Sequence, residues 1–309
     1  MMFNTIIKKL VLALAFLLPA ACHAQPGVNQ ILLEETQTSI PFELQDNRIF
    51  ITIFISGKPF HFVLDTGGGI VLEKETAQTL DLNPVPAGDI TGAGKDPVPS
   101  WRAKVDTIAM GAIRIINKEA IVLSLREIKE ALHLKYLDGI IGYEIFQRFI
   151  TEINYADSTV TFYEKDHFNP GSGFEAIPFW IHNGRIPVLK LLVDGREAEM
   201  IVDTGDRSSL SLFGPFAEQE KLREKYVLGD TLVTGYGLGG PIYAQLLTIG
   251  ELEINGNLKL QDIITRIPTI RSGAFYRNDR IKGSIGNGLL KRFKRVVFNY
   301  FDKEILIWK

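Results

Sequence analysis

The segment Phe62-Val63-Leu64-Asp65-Thr66-Gly67 occurs a second time as Met200-Ile201-Val202-Asp203-Thr204-Gly205, and these two segments decide the fold. In both copies an apolar strand runs directly into Asp-Thr-Gly, so a carboxylate lies where a buried strand breaks into a tight turn. Removing a carboxylate from water is unfavourable unless hydrogen bonds or a shared proton compensate it. One Asp-Thr-Gly would be an ordinary turn. Two at equivalent places indicate a function for both carboxylates.

The surroundings of these segments repeat as well. Ile40-Pro41-Phe42 recurs 137 residues later as Ile177-Pro178-Phe179, and the two aspartates are 138 residues apart. Farther on, Asp138-Gly139-Ile140-Ile141-Gly142 matches Lys282-Gly283-Ser284-Ile285-Gly286. An internal repeat of this size determines the architecture. Three anchors in the same order predict two copies of one unit of roughly 135 residues, a normal domain size.

A glycine-rich segment follows each Asp-Thr-Gly, at residues 91–94 and 234–240. The second contains the G-x-G-x-x-G pattern of dinucleotide sites. That fingerprint opens a helix, whereas Pro241 and the alternating residues after it predict a strand. Both segments are therefore predicted to be the tips of hairpins.

Together these features resemble one lobe of the pepsin-like and retropepsin-like aspartic proteases, and the resemblance covers nearly the whole chain after residue 24, twice. It implies an all-β fold with a few short helices. Two lobes, each a closed or partly open β-barrel, would be related by a pseudo-twofold axis. Residues 167–173 form the best linker in the sequence, which predicts lobes at residues 25–168 and 169–309.

The resemblance implies that Asp65 and Asp203 face each other across that axis and share a proton. One would then take a proton from a water molecule while the other polarises the peptide carbonyl, as in aspartic proteases generally. Supporting roles fall to the residues that follow each aspartate, namely Thr66, Gly67, Thr204 and Gly205.

The resemblance also implies that the glycine-rich hairpins act as flaps over a bound peptide. The flap residues would be Gly92, Gly94, Gly235, Tyr236 and Gly237. Tyr236 or Trp101 would close over the peptide, and an ordinary half-buried aromatic residue is an equal alternative for each. Gly142 and Gly286 would let a strand pack closely behind each aspartate.

The sequence departs from the family after each Asp-Thr-Gly, where Ser, Thr or Ala is usual and Gly68 and Asp206 stand instead. A third carboxylate near the pair would raise its pKa values unless Arg207 neutralises Asp206 or Asp206 points to solvent. Ser208 is a candidate for the missing hydroxyl. Two hypotheses therefore stay open: an aspartic endopeptidase that cleaves polypeptides, and a protease-like module that binds peptides without cutting them.

The remaining composition excludes several classes of protein. The sole cysteine, Cys22, precedes the predicted mature chain, which excludes disulfides and a cysteine protease. No Ser nucleophile motif of the G-x-S-x-G type occurs, and no cofactor is expected. A zinc site is not predicted, because no helical i, i+4 pairing occurs among the four histidines of the mature chain: His61, His133, His167 and His182.

The formal net charge of −2 gives no support for binding to nucleic acid or to an anionic membrane. Two lobes in one chain predict a monomer that contains its own pseudo-dimer.

Residues 1–24 are predicted to be a signal peptide. Lys8 and Lys9 precede an apolar run that is too short to span a bilayer, and small residues stand before Gln25. Lipoprotein processing at Cys22 is the alternative. Either route predicts export, to the periplasm or the medium, and no transmembrane segment is expected in the mature chain.

Overall fold

The computed structural model of the chain describes residues 30–271, 273–276 and 280–309. The predicted signal peptide lies outside the described residues. The first half contains strands β1 (Gln30–Leu33), β2 (Gln37–Gln45), β3 (Arg48–Ile55), β4 (Lys58–Asp65), β5 (Val71–Glu73), β6 (Val85–Ile90), β7 (Val98–Met110), β8 (Ile113–Leu123), β9 (Gly139–Gly142), β10 (Ile150–Asn154) and β11 (Thr159–Tyr163).

The second half contains strands β12 (Glu175–Pro178), β13 (Trp180–His182), β14 (Ile186–Val193), β15 (Arg196–Asp203), β16 (Leu210–Leu212), β17 (Thr231–Gly237), β18 (Gly240–Ile254), β19 (Leu258–Pro268), β20 (Gly283–Gly286), β21 (Arg295–Asn299) and β22 (Glu304–Trp308). The helices are α1 (Lys74–Thr79), α2 (Arg126–Ala131), α3 (Tyr143–Arg148), α4 (Gly214–Gln219), α5 (Leu222–Lys225) and α6 (Asn287–Leu290), with single 3₁₀ turns at Lys165–His167 and Gly273–Phe275. Within the described residues, no helix is long and apolar enough to cross a membrane.

Each half of the chain closes into a six-stranded barrel. In the first half the pairings run β3, β4, β9, β5, β8 and β7, and β7 pairs again with β3. In the second half they run β14, β15, β20, β16, β19 and β18, and β18 pairs again with β14. The two circuits have the same order and the same parallel and antiparallel pairings. The predicted all-β fold of two related barrel lobes is confirmed.

A sheet built from both halves joins the two barrels. Its strands run in the order β12, β22, β21, β10, β11 and β2, and the pairing of β10 with β21 connects one half to the other. Residues 168–174 contain neither helix nor strand, and Phe168 and Phe174 pack on this shared sheet. The boundary at 168/169 stays a prediction, since the lobes are continuous through the sheet.

Strand alternation places the core inside each barrel and a second apolar layer toward the space between the lobes. In β3, Ile49, Ile51 and Ile53 are fully buried in the main cluster. Phe50, on the opposite face, packs with Val63 in a separate cluster. Because successive side chains of a strand point to opposite faces, one hydrophobic strand supplies both layers.

Glycine is required directly behind each aspartate, where β4 pairs with β9 and β15 pairs with β20. Asp65 pairs with Gly142 and Asp203 pairs with Gly286. A Cβ on Gly142 would lie 2.0 Å from the carbonyl oxygen of Asp65, and one on Gly286 would lie 2.2 Å from that of Ser208. Only glycine allows this close approach of backbone to backbone, as predicted from the repeat.

We expect Gly142→Ala to destabilise the protein by about 3 kcal/mol or more, at the top of the range for overpacked sites, because the obstructing atoms are backbone. Urea unfolding measures the change. Gly229→Ala is the control, since a Cβ there would meet only one atom, at 3.7 Å. An unchanged unfolding midpoint for Gly142→Ala would contradict the close packing described here.

Candidate active site

The two aspartates meet at the floor of a cleft between the lobes. Asp65 ends β4 and Asp203 ends β15, and both line a cleft of about 650 Å³. Both residues are half-buried, and their carboxyl groups lie side by side, since a Cβ on Gly67 would lie 3.2 Å from Oδ1 of Asp65 and 3.3 Å from Oδ2 of Asp203. The structure thus brings together the two residues that the sequence repeat singled out.

Backbone N–H groups hold the two carboxyls unequally. Oδ1 of Asp65 accepts hydrogen bonds from the backbone N–H groups of Gly67, at 2.7 Å, and Gly68, at 3.0 Å. Oδ1 of Asp203 accepts one, from Gly205 at 2.9 Å. Hydrogen bonds to a carboxylate favour its charged form, so the ionised state is better supported at Asp65.

The surroundings of the two carboxyls favour a shared proton on Asp203. Burial, followed by the nearby charge of Asp65, raises the pKa of Asp203 well above its ordinary value. Burial also raises the pKa of Asp65, but the hydrogen bonds from Asp203, Gly67 and Gly68 oppose that rise. Two carboxyls in contact cannot both ionise cheaply. One acid and one base therefore coexist at the cleft floor.

Two threonines lock the aspartate turns together across the lobes. The Thr66 hydroxyl donates to the Val202 carbonyl at 2.8 Å and accepts from the Thr204 N–H at 3.1 Å. Reciprocally, the Thr204 hydroxyl donates to the Leu64 carbonyl at 2.8 Å and accepts from the Thr66 N–H at 3.0 Å. Both threonines are completely buried. The four bonds fix the distance between the turns, and hence between the carboxyls.

Asp206 is neutralised by a residue that sequence reasoning missed. Arg266 donates to both of its carboxylate oxygens, at 2.9 and 3.1 Å. Arg207, the expected partner, instead binds Asp46 with Nε at 2.6 Å. The Ser208 hydroxyl donates to Asp206 at 2.8 Å and so does not support the catalytic pair. Arg207 is therefore not the counter-ion of Asp206, and Ser208 is not the hydroxyl beside the pair, because Arg207 binds Asp46 and Ser208 binds Asp206.

The turn between β2 and β3 crosses from the first lobe to the second aspartate loop, which sequence reasoning also missed. Arg48 donates from Nε to the Gly205 carbonyl at 3.1 Å and also binds Asp46. Asn47 donates to the Arg207 carbonyl at 2.9 Å. Arg48-Ile49 recurs in the second half of the sequence as Arg185-Ile186, but this recurrence carries no signal for a contact between the lobes.

The two glycine-rich hairpins meet above the cleft. Gly94 donates its N–H to the Leu238 carbonyl at 2.8 Å, and Asp96 donates to the Gly239 carbonyl at 3.1 Å. The approach is so close that a Cβ on Gly94 would lie 2.1 Å from the carbonyl carbon of Gly239. A Cβ on Gly92 would likewise lie 2.5 Å from Leu238. The two hairpin tips therefore cover the aspartates together.

The predicted flap residues of the second hairpin line the cleft, whereas Trp101 does not. The cleft is lined by Gly235, Tyr236 and Gly237. Trp101 packs against the barrel core and lies 5.0 Å from the Lys74 ammonium group. For Trp101 the structure favours the alternative of a half-buried aromatic residue, because its position in β7 directs it away from the cleft.

Among the described residues, no group of three or more His, Cys, Asp or Glu side chains is arranged to hold a metal ion. Two other charged groups of the cleft, Asp206 and Arg207, form ion pairs with Arg266 and Asp46 respectively.

Comparison with known proteins bears out the resemblance seen in the sequence. Residues 51–145 match the family model described as aspartyl protease. The crystal structure of aspartic proteinase from Irpex lacteus matches with a TM-score of 0.55 and 13% identity, over 88% of this chain and 97% of that one. A retropepsin-like aspartic protease from Rickettsia conorii matches at 20% identity with a TM-score of 0.31, over 44% of this chain and 91% of that one. No curated protein sequence matched the chain.

We expect Thr66→Val to reduce the free energy of unfolding by about 2–6 kcal/mol, because it leaves the Val202 carbonyl and the Thr204 N–H buried without a partner, at about 1–3 kcal/mol each. Urea denaturation measures the loss. Thr66→Ser keeps the hydroxyl and is the matched control. Equal losses in the two variants would show that packing, and not the hydrogen bonds, holds the turns.

The raised pKa of Asp203 also predicts a pH-dependent stability. A carboxyl whose pKa is higher in the folded than in the unfolded protein stabilises the fold at low pH, and this contribution is lost as the pH rises through the folded pKa. Asp203→Asn is neutral at every pH. Its stability relative to the wild type should therefore increase with pH, by up to about 1.4 kcal/mol per pH unit.

Urea unfolding between about pH 4 and pH 8 measures this difference between Asp203→Asn and the wild type. Asp89→Asn, at an exposed carboxyl, is the control. A difference between Asp203→Asn and the wild type that does not change with pH would contradict the protonated assignment.

Proposed function

Because this chain resembles the aspartic proteases in the sequence of residues 51–145 and in its fold, we propose that it is an exported aspartic endopeptidase whose Asp65 and Asp203 activate water to hydrolyse peptide bonds. The observation that carries the proposal is the adjacent pair of carboxyls at the floor of the cleft between the lobes. Such a pair offers a base and an acid within reach of one peptide bond.

The unequal support of the two carboxyls assigns their roles. Asp65, with two N–H donors, is the base that takes a proton from water as the water oxygen bonds to the carbonyl carbon. Asp203, which carries the shared proton, donates a hydrogen bond to the carbonyl oxygen. When the C–N bond breaks, the departing nitrogen receives a proton from the pair. The reaction consumes one water molecule and needs no cofactor.

The cleft has the dimensions and the chemistry for a stretch of polypeptide. Its volume of about 650 Å³ falls within the usual range for a ligand site. On the side of the first lobe its wall is aliphatic, with Ile121, Ile128 and Ile140, and on the other side Phe213 and Phe275 are aromatic. Apolar side chains of a substrate would pack on both walls. The hairpin tips have to separate before a chain can enter.

The alternative, a protease-like module that binds peptides without cutting them, rested on Gly68 and Asp206. Gly68 keeps its N–H on Asp65 at 3.0 Å, so the support of that carboxyl does not need a hydroxyl there. Asp206 has its own buried counter-ion in Arg266. Neither Gly68 nor Asp206 removes a group that the proposed reaction uses. We therefore favour an enzyme over a binding module.

Export and oligomeric state belong to the same proposal. Export to the periplasm or the medium rests on the pattern of residues 1–24, and processing at Cys22 remains the alternative route. The two lobes supply one aspartate each. The monomer can therefore form the complete site without a second chain.

We expect Asp65→Asn and Asp203→Asn each to lower the rate of peptide cleavage by about 10²–10⁴-fold or more, because each removes one partner of the acid–base pair. The assay is cleavage of a mixed peptide library by the chain beginning at Gln25, resolved by pH and read by mass spectrometry. Asp89→Asn is the matched control at an exposed site.

Wild-type activity in either active-site variant would contradict the proposal. Saturable peptide binding by the folded wild type with no cleavage between about pH 3 and pH 8, the range in which a carboxylate pair passes through its singly protonated state, would favour the binding module.

A further inference from the structure

The strands that carry Asp65 and Asp203 pair with equivalent neighbours in the two lobes. The side chains around the two aspartates nevertheless differ. The aspartate turns match, since Gly68 and Asp206 each donate a backbone N–H to the aspartate carbonyl three residues earlier, at 3.2 Å in both lobes. Strand pairing extends the match to the neighbouring positions. It makes Asp206, Ser211, Arg266 and Ser284 of the second lobe equivalent to Gly68, Val71, Ile121 and Ile140 of the first.

One polar cluster therefore stands where the first lobe has only glycine and aliphatic residues. In the first lobe a side chain at position 68 would have no room, because a Cβ there would lie 2.9 Å from both the Asp65 carboxylate and Ile140. In the second lobe Ser284 replaces that isoleucine, and Asp206 occupies the space. The difference involves four positions from four separate elements, so it is a built feature of this site and not a single substitution.

Asp206 is fully hydrogen-bonded in this cluster. Arg266 binds both carboxylate oxygens, and the two side chains are 9% and 4% exposed, for Asp206 and Arg266 respectively. Ser208 donates its N–H at 2.9 Å and its hydroxyl at 2.8 Å, and Ser284 donates its hydroxyl at 3.0 Å. Ser211 accepts from Nε of Arg266 at 2.7 Å. Removing one member of such a buried ion pair is strongly unfavourable.

The surroundings of Asp206 favour its ionised form. Burial by itself raises the pKa of Asp206, but the charge of Arg266 and the hydrogen bonds from Ser208 and Ser284 outweigh burial and bring the pKa below its ordinary value. Asp206 is therefore not a third titrating member of the catalytic pair. It is a fixed negative charge in the same turn as Asp203.

That fixed charge acts on Asp203 more than on Asp65. After burial and the charge of Asp65, the charge of Asp206 is the next cause that raises the pKa of Asp203. Asp65 has Gly68 at the equivalent position and instead lies near Arg48, whose charge lowers the pKa of Asp65. Both effects favour the proton on Asp203.

The other charged and titratable groups around the pair do not reverse this preference. Arg48 and Arg207 both bind Asp46, which neutralises one of their two positive charges. Tyr300 stays a neutral phenol, because burial, followed by the charge of Asp65, raises its pKa. Its hydroxyl donates to the Arg185 carbonyl at 3.0 Å.

We propose that the buried Asp206–Arg266 ion pair is a positioning element of the catalytic site, whose carboxylate fixes the shared proton on Asp203 and leaves Asp65 as the base that activates water. This inference deepens the proposed peptidase function and rests on it. Asp206 and Arg266 touch neither water nor substrate in this role. They act through Asp203.

The test measures the protonation of each carboxyl directly, by NMR of the protein labelled with ¹³C at the Asp side-chain carboxyls. Signals are assigned with Asp65→Asn, Asp203→Asn and Asp206→Asn. In the wild type, Asp203 should titrate at the highest pH of the three and Asp206 at the lowest. In Asp206→Asn the midpoint of Asp203 should fall by about one to two pH units, because Arg266 is then an uncompensated cation nearby.

Arg266→Gln should act in the opposite direction. Asp206 loses its counter-ion, so it should begin to titrate between about pH 3 and pH 8, and the three carboxyls together should hold more than one proton near neutral pH. Ser284→Ala is the matched control, because it removes one hydrogen bond of Asp206 and keeps both charges. The Asp203 midpoint should stay within about half a unit of the wild type in this variant. The double variant Asp206→Asn/Arg266→Gln, which removes both charges, serves if a single variant does not fold.

A merely structural pair would lower stability in both single variants without moving the Asp203 midpoint in opposite directions, and that result overturns the proposal. If the wild type cleaves peptides, the alkaline limb of its pH–rate profile should move with the Asp203 midpoint in each variant. If no peptide is cleaved but the midpoints move as stated, the peptidase proposal fails and the placement of the proton by Asp206 stands. A folded double variant whose Asp203 midpoint equals that of the wild type would also contradict the proposal, because the pair would then have no net effect on the proton.

Discussion

Two carboxyl groups held in contact below the protein surface have to share a proton, and the rest of this structure depends on that constraint. The contact is maintained by the four hydrogen bonds that cross between Thr66 and Thr204. Each bond also satisfies a backbone group that would otherwise be buried without a partner. The lobes therefore cannot separate at this point without exposing unpaired polar groups, and the distance between the carboxyls is set by the backbone.

The architecture packs closely beneath the two aspartates and covers them from above. Beneath the aspartates, glycines at positions 142 and 286 bring a second strand against each aspartate strand. A sheet with strands from both halves holds the barrels together. Above the aspartates, two hairpins meet tip to tip. A rigid floor and a cover made of two hairpin tips are consistent with the proposed reaction, in which the site admits a polypeptide and then excludes bulk solvent.

The sequence predicted those parts of the structure that depend on local pattern and on the repeat. The two barrels, the positions of Asp65 and Asp203 and the need for glycine at 142 and 286 follow from segments that recur in order. The sequence does not predict contacts that form only when the barrel closes. Arg266 lies 60 residues from Asp206, in an alternating strand with no motif, so the adjacent Arg207 was the natural expectation. Trp101 does not line the cleft, because the alternation of side chains along β7 directs it toward the barrel core.

We propose that Asp65 and Asp203 act together through one shared proton. The most direct test is whether their contributions to the rate of cleavage are independent. The measurement is kcat/KM for peptide cleavage by Asp65→Asn, Asp203→Asn and the double variant. Residues that act together through one proton give strongly non-additive losses. We expect the double variant to cleave no more slowly than the slower single variant. Losses that multiply in the double variant would contradict it.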